Sequence, residues 1–451
     1  MAAVLWFRRD LRLADHPALL AALEAGDEVV PLFVLDPKLQ SASGPPRLSF
    51  LAGCLADLRD RTDDALVTRT GDPVEVVPKL AAEVGAEEVF VTDDFGPYGR
   101  RRDEAVAAAL EGQGRRLVAV DSPYVVPPGT LSTAAGGSFQ VFTPFYRAWG
   151  AQGAPTPWPA PKRPRWASGV VGERVPDPVD LGGTTILPPG EAAATRRLER
   201  FLGDQVQGYA VRRDVPGVDA TSRLSVYLKY GCIHPRTALH GLGRGKGAER
   251  FRTEVAWRDF YASVLAAHPE SAREPLRTEM KAMRVETGRR AESLFERWAE
   301  GRTGYPIVDA GMRQLVAEAW VHNRVRMVVA SFLVKDLHLP WRWGARLFMQ
   351  RLQDGDLASN NHGWQWVAGT GTDPAPYIRV FNPTLQAAKF DPEGVYVRRW
   401  VPELAGVAGP AVHEPWTLPG GPPGGYPMPV VDHFEERKEA LARFGEVGAG
   451  R

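Results

Sequence analysis

The chain has 451 residues, 44% hydrophobic and 24% charged, enough length for two sizeable cores and two or three domains. With 55 basic against 54 acidic residues the formal net charge is +1, which excludes a surface coated in positive charge, so DNA affinity would have to come from a local basic patch. Cys54 and Cys232 are too few for a disulfide framework and stand in no metal-ligand spacing. No stretch approaches the roughly 20 apolar residues of a membrane span, and no signal peptide is expected, so the cytoplasm is the expected location.

In chain order, short runs rich in Val, Leu and Phe come first, at residues 3–7, 28–35, 65–69, 88–92 and 116–120. Helical segments at 17–25, 47–61, 73–84 and 100–111 separate them. This alternation predicts βαβ units and a doubly wound parallel sheet. Its ligands would lie beyond the carboxyl ends of the strands, near Arg8, Asp36 and residues 93–98. Residues 123–189 are proline-rich and read as an extended linker, anchored by Phe139, Phe142, Phe145, Tyr146 and Trp149. From about residue 191 helical periodicity takes over, at 192–205, 222–231, 250–268, 291–299, 308–319, 321–335 and 343–354, with a terminal helix at 432–444. The expected fold class is α/β plus all-α: a Rossmann-like domain over 1–125, a linker over 126–190 and a helical domain over 191–451.

Four motifs in the second half carry chemistry. Residues 219–225, Asp-Ala-Thr-Ser-Arg-Leu-Ser, place hydroxyls at the opening of a helix. They can cap it, the plainer reading, or present free amides to a pyrophosphate, with Tyr209 and Arg213 upstream. Glu254, Trp257, Arg258 and Tyr261 follow an i, i+3, i+4, i+7 pattern and share one helix face. That face suits either a solvated surface with one anchoring indole or a pocket that stacks a flat ring and hydrogen-bonds its edge. In residues 320–327, Asn323, Arg326 and Met327 share a face with Ala330, while Arg324 points away. The fourth motif, Asp354-Gly355-Asp356-Leu-Ala-Ser-Asn360-Asn361-His-Gly-Trp364-Gln-Trp366, runs on through Asp373 to Lys389-Phe-Asp391. A divalent cation would want more carboxylates than it supplies. On a helix Trp364 and Trp366 lie about 200° apart and face different neighbours.

Taken together with Trp6-Phe-Arg-Arg-Asp-Leu-Arg12, these motifs resemble the cryptochrome/photolyase family, most closely the bacterial class I cyclobutane-pyrimidine-dimer photolyases. The resemblance implies an N-terminal antenna domain and a helical domain that binds FAD, active as FADH⁻. Tyr209, Thr221, Ser222, Arg223, Leu224 and Ser225 would hold the phosphates, with Arg258 assisting. Arg326 and Asp354 would pair beside the flavin ring, with Gly355, Asp356 and Asn323 lining it and Asn360 facing N5. Trp257 and Trp366 would wedge a flipped-out dimer, Glu254 and Asn323 would bond its pyrimidine edges, Met327 would fill space, and Arg213 and Arg324 would meet the phosphates of double-stranded DNA. No metal is implied, and the chain is expected to act as a monomer, nucleoid-associated when on DNA. The alternatives within the family are a (6-4) photolyase, which needs a histidine where Met327 stands, and a cryptochrome photoreceptor.

Two details of the resemblance are open. Trp364 and Trp341 match the first two members of the family's electron-transfer chain, but Gly288 stands at the third position, so either the exit runs by Trp343, Trp298 or Tyr305 or photoreduction is weak. Residues 94–103 are similar to the loop of photolyases that carry an 8-hydroxy-5-deazaflavin antenna, with Arg47, Tyr98, Arg102 and Lys246 as its candidate contacts. The alternatives there are 5,10-methenyltetrahydrofolate and no antenna.

Overall fold

The computed structural model describes residues 2–372 and 378–449; Asp373, quoted above in the fourth motif, lies outside them. The chain folds into two compact units: one of Met1–Leu181, Leu187–Gln207 and Ser222–Pro269, the other of Gly182–Ile186, Gly208–Thr221 and Glu270–Arg451.

The first unit is built on a parallel sheet. Strands β1 (Ala2–Phe7), β2 (Glu28–Leu35), β3 (Val67–Thr70), β4 (Glu88–Val91) and β5 (Arg116–Ala119) lie in the order β3-β2-β1-β4-β5. The winding therefore reverses between β1 and β4, the place where such sheets bind ligands. Helices α1 (Pro17–Ala25), α2 (Pro45–Arg61), α3 (Pro73–Glu83) and α4 (Pro97–Glu111) connect the strands, each opening on a proline that sacrifices no needed donor. Val4 stands in register with Val30 and Val89, and these join Trp6, Leu32, Leu80, Val106 and Leu110 in one core. A strand covered on both faces needs apolar residues at every position, which is why the runs read as continuous rather than alternating.

The unit's further helices include α5 (Phe142–Gln152), α6 (Glu191–Arg200), α7 (Ser225–Tyr230) and α8 (Lys246–Ala267), with short helices at Pro37–Ser41 and Pro235–His240. The proline-rich stretch is thus not extended throughout. Pro144 falls in the first turn of α5, where a missing N–H costs nothing, and Phe142, Phe145 and Trp149 form the helix's buried side. Gly231 ends α7 at φ +68°, so close to β1's exit that a Cβ there would lie 1.9 Å from the Arg9 carbonyl oxygen. Only glycine permits both that approach and that φ.

Among the described residues the second unit carries no strand. Besides a short helix at Tyr209–Arg212, its helices are α9 (Arg289–Ala299), α10 (Pro306–Glu318), α11 (Asn323–Ser331), α12 (Trp341–Arg351), α13 (Leu357–Ala368), α14 (Pro383–Phe390), α15 (Val395–Trp400) and α16 (His433–Ala449). They pack round Trp298, Phe332, Leu333, Phe348, Trp364 and Tyr396. The segment expected as one helix over 321–335 divides into α11 and a π-helical turn at Phe332–Asp336, and the one over 192–205 ends likewise in a π turn at Phe201–Gln205. Among the described residues no helix is long and apolar enough to cross a membrane.

Candidate functional site

In the second unit the acidic turn between α12 and α13 sets the geometry. One guanidinium nitrogen of Arg326 bridges both carboxylate oxygens of Asp354, at 2.9 and 3.1 Å, and its Nε donates to the Val321 carbonyl. The Asp354 side chain is 2% exposed and that of Arg326 26%. Gly355 is buried, and Asp356 caps α13 by accepting from the Ser359 amide at 3.0 Å. One turn further, the Asn360 side-chain nitrogen donates to the Ala345 carbonyl (3.0 Å) and to Asn361 Oδ1 (2.8 Å). Both N–H groups are committed, so the amide is held with its carbonyl oxygen available as an acceptor. His362 and Gln365, which sequence reasoning passed over, pin α13 to Ser271: His362 Nε2 lies 3.0 Å from its hydroxyl, and Gln365 Nε2 donates to its carbonyl.

Trp364 and Trp366 do face different surroundings. Trp364 is buried, meeting Trp298 at 6.1 Å and Phe348 at 5.1 Å, both edge to face, whereas Trp366 is half-buried. Gly344 makes the space: a Cβ there would lie 2.1 Å from the Trp364 ring. A glycine inside an apparent helix was the sequence signal for this approach. Trp341 is buried at the start of α12. Trp298 continues to Phe295 (5.7 Å, stacked), whose ring meets Trp343 at 5.5 Å. Gly288 sits at φ +81° before α9, with open space where a side chain would begin.

On α11, His322 Nδ1 accepts from the Arg324 amide, and burial lowers the imidazole pKa to about 4. Asn323 is exposed at the first helical position, and Met327 is half-buried. Arg324 does not point away as expected: it is the i, i+3 neighbour of Met327, and its Nη1 lies 3.8 Å from Met327 Sδ. Its Nη2 donates to Asp214 at 3.0 Å and its guanidinium lies 4.3 Å over the Phe390 ring. Arg213 stands 3.9 Å from the same Asp214, and over the Tyr209 ring at 5.8 Å, so the two candidate phosphate-binding arginines share one carboxylate. Tyr209 is buried and Thr221 half-buried, both in this unit.

The first unit holds the other candidates. Ser222 Oγ accepts from the Leu224 amide, Arg197 Nε donates to the Ser222 carbonyl, and Arg223 between them is held at φ +49°. A non-glycine residue there stores on the order of 1–3 kcal/mol of strain, the mark of a turn whose shape matters. Leu224 is buried and Ser225 exposed at the start of α7. On α8, Glu254 lies 3.9 Å from Arg250, and Trp257 is stacked face to face on Phe142, 3.7 Å between centroids and 6° between planes. Arg258 donates to the carbonyls of Leu228 (3.2 Å) and Pro123 (2.9 Å) and lies 4.5 Å over Tyr124. Beside it Asp259 accepts from the Val125 and Val126 amides and the Trp149 indole, while full burial raises its pKa to about 6.

At the carboxyl ends of the strands Tyr98 donates to Asp36, and Arg102 pairs with Asp94 (3.2 Å) and Asp103 (2.8 Å) while lying over the Trp6 ring. Arg47 donates to the Ala42 carbonyl, and Lys246 is exposed at the start of α8. A cavity of about 450 Å³ opens nearby, lined by Asp93, Arg100, Glu104, Phe139, Phe145 and Ser263 among others; Arg47, Tyr98, Arg102 and Lys246 are not in its wall.

Two family profiles match the chain. The family profile described as DNA photolyase matches residues 3–162, and that described as FAD binding domain of DNA photolyase matches residues 251–446. The chain is 42% identical to a deoxyribodipyrimidine photo-lyase of Streptomyces griseus, over 98% of each chain. It is 40% identical to one of Synechococcus, over 98% of this chain and 96% of the other. The crystal structure of a bacterial class III photolyase from Agrobacterium tumefaciens superposes with a TM-score of 0.92 at 36% identity, over 99% of this chain and 98% of that one. The chain belongs to the cryptochrome/photolyase family, as a DNA photolyase with an FAD-binding domain.

Proposed function

We propose that the chain is a light-driven deoxyribodipyrimidine photo-lyase that splits cyclobutane pyrimidine dimers in double-stranded DNA, working as a cytoplasmic monomer. Reduced FAD, when bound and excited by blue light, supplies the electron that opens the cyclobutane ring. The observation that carries the reading is Asn360, whose amide nitrogen is anchored twice and whose oxygen is left as an acceptor. A reduced flavin offers N5–H, a donor, so a fixed neutral acceptor matches it without adding charge. The rest of the donor set fits FAD as well. Arg326 and Asp354 supply a paired cation and carboxylate for the polar edge of the ring, with Gly355 and Asp356 beside them. Tyr209, Thr221 and the 222–225 turn supply hydroxyls and amides for the phosphates, and Arg258 adds positive charge.

Trp257 and Trp366 are half-buried indoles with surface left to stack on an extruded lesion, a role in which each stacked base is worth about 1–3 kcal/mol. Glu254 and Asn323 bond its edges, and Met327 lies against the ring. Arg213 and Arg324, steadied by Asp214, meet the backbone phosphates. A (6-4) photolyase needs a titrating histidine near the lesion. Met327 stands where that class carries one, and His322 is buried, its pKa lowered to about 4 by desolvation and its Nδ1 committed to the helix cap. DNA carrying one lesion type at a time tests this: under blue light dimers are expected to disappear and (6-4) products to persist, and the reverse outcome overturns the assignment.

The antenna is proposed to be an 8-hydroxy-5-deazaflavin held by Arg47, Tyr98, Arg102 and Lys246. A methenyltetrahydrofolate is the second reading, favoured by the cavity beside Asp93 and Glu104, whose carboxylates match the paired donors of a pterin edge. Mass identification of the chromophores extracted from native protein decides between them.

A further inference from the structure

Helix α5, hidden in the proline-rich stretch, lays an aromatic stripe against α8. Phe142, Tyr146 and Trp149, at i, i+4 and i+7, stack in sequence at 5.6 and 6.1 Å with planes within 19° of parallel. The first ring of this column lies flat on Trp257, 3.7 Å away at 6°. Phe260 and Tyr261 meet the indole at 5.6 and 5.3 Å, tilted rather than parallel. The column is bolted at its far end: Trp149 Nε1 donates to Asp259 at 2.9 Å, and Tyr146 donates to Glu249 at 2.5 Å, both on α8. Phe142 is itself buried, so the ring under Trp257 is backed by packed side chains and not by solvent.

We infer that Phe142 is a positioning residue for lesion recognition: it covers one face of Trp257 and holds the indole flat, so that the opposite face meets the dimer already oriented. This rests on the reading of Trp257 as a lesion-stacking side chain. An indole that must find its rotamer on binding loses side-chain freedom at that moment, whereas one already stacked has lost it on folding. The ordering of one rotamer-rich side chain on binding is what the stack spares, so the effect lies in the range of a few-fold to about tenfold. Phe142 acts through Trp257, and its loss should raise the Kd for damaged DNA without changing the photochemical yield of bound substrate.

The test is a double-mutant cycle on FAD-loaded full-length protein, with dissociation constants measured in the dark for a duplex carrying one cyclobutane dimer and for the same duplex undamaged. Phe142→Leu keeps an apolar side chain in the α5–α8 contact but cannot stack, and Phe142→Tyr restores the ring. Trp257→Ala is expected to weaken dimer binding roughly tenfold or more. Phe142→Leu is expected to weaken it about three- to tenfold, with undamaged-DNA binding, flavin absorption and the yield at saturating substrate unchanged. Phe142→Tyr should bind as the parent does, and Phe142→Leu should add nothing in a Trp257→Ala background. Wild-type affinity in Phe142→Leu, with Trp257→Ala weakened, overturns this inference and leaves the role of Trp257 standing. An undiminished loss in the Trp257→Ala background overturns it too, since Phe142 would then act through general packing. Wild-type affinity in Trp257→Ala overturns the lesion-stacking reading itself.

Discussion

Arg326 and Asp354 form a single closed ion pair, one guanidinium nitrogen lying 2.9 and 3.1 Å from the two carboxylate oxygens, with the carboxylate almost wholly out of water. A buried carboxylate stripped of its cation is left as a desolvated charge, which costs more than the pair contributed. Arg326→Met is therefore expected to destabilise the protein by about 3 kcal/mol in denaturant unfolding and to lower the flavin content after purification. The double variant Arg326→Met/Asp354→Leu should recover much of the stability but none of the flavin. Full flavin content in the double variant would remove the pair from the cofactor's surroundings.

Asn360 offers a neutral acceptor at a fixed place. Asn360→Asp keeps the shape but replaces an amide nitrogen that makes two hydrogen bonds with a carboxylate oxygen that can donate to neither. On the proposed placement of residue 360 it also sets a negative charge beside a cofactor that is anionic when active. Reduced flavin in this variant should reoxidise in air at least several-fold faster, followed by its absorbance, and its midpoint potential should fall. An unchanged potential would mean that residue 360 does not face the ring.

Trp364 is the buried indole on α13, and Gly344 clears its space. Trp364→Phe is expected to abolish flavin photoreduction in vitro while leaving repair by chemically reduced protein intact. Gly344→Ala must displace the ring and should slow photoreduction without removing the indole. The ring contact leads from Trp364 to Trp298 and then by Phe295 to Trp343, so Trp298→Phe and Trp341→Phe, compared by transient absorption, identify the exit. Normal photoreduction in Trp364→Phe would place the entry elsewhere.

His322 gives a pH signature. Burial holds its folded pKa at about 4, below the ordinary imidazole value of 6.5, so between these values the unfolded chain binds the proton and the folded one does not. Its contribution to stability is complete above about pH 6.5 and is lost as the pH falls toward 4. His322→Asn keeps a side-chain acceptor for the α11 cap and should flatten that acidic slope in melting temperature measured from pH 7 to 4. An equally steep slope would assign it to other groups.

Much of this was legible in the chain itself. Residues 28–35 and 17–25 were bounded as the structure bounds β2 and α1, because strand and helix there each end at a charge or a glycine. The doubly wound sheet followed from spacing alone, whereas the helix that carries Asn360 and Trp366 was only a condition of the reading that the two indoles face apart. What stayed hidden depends on long-range contact. Helix α5 was masked by prolines, although Pro144 sits where a helix tolerates it. The Phe142–Trp257 stack joins residues far apart in sequence, and nothing local announces it. The contact of Arg324 with Met327, by contrast, is local: the two are i, i+3 neighbours, and the spacing itself was the signal for it.

The most direct measurement of the central claim is the dimer content of a defined duplex, incubated with anaerobically reduced protein and exposed to blue light, beside an identical sample kept dark. The account predicts light-dependent loss of dimers with restoration of intact pyrimidines, no loss in the dark, and no loss when the flavin is left oxidised and no reductant is present. Unchanged dimer levels in the illuminated, fully reduced sample would contradict it.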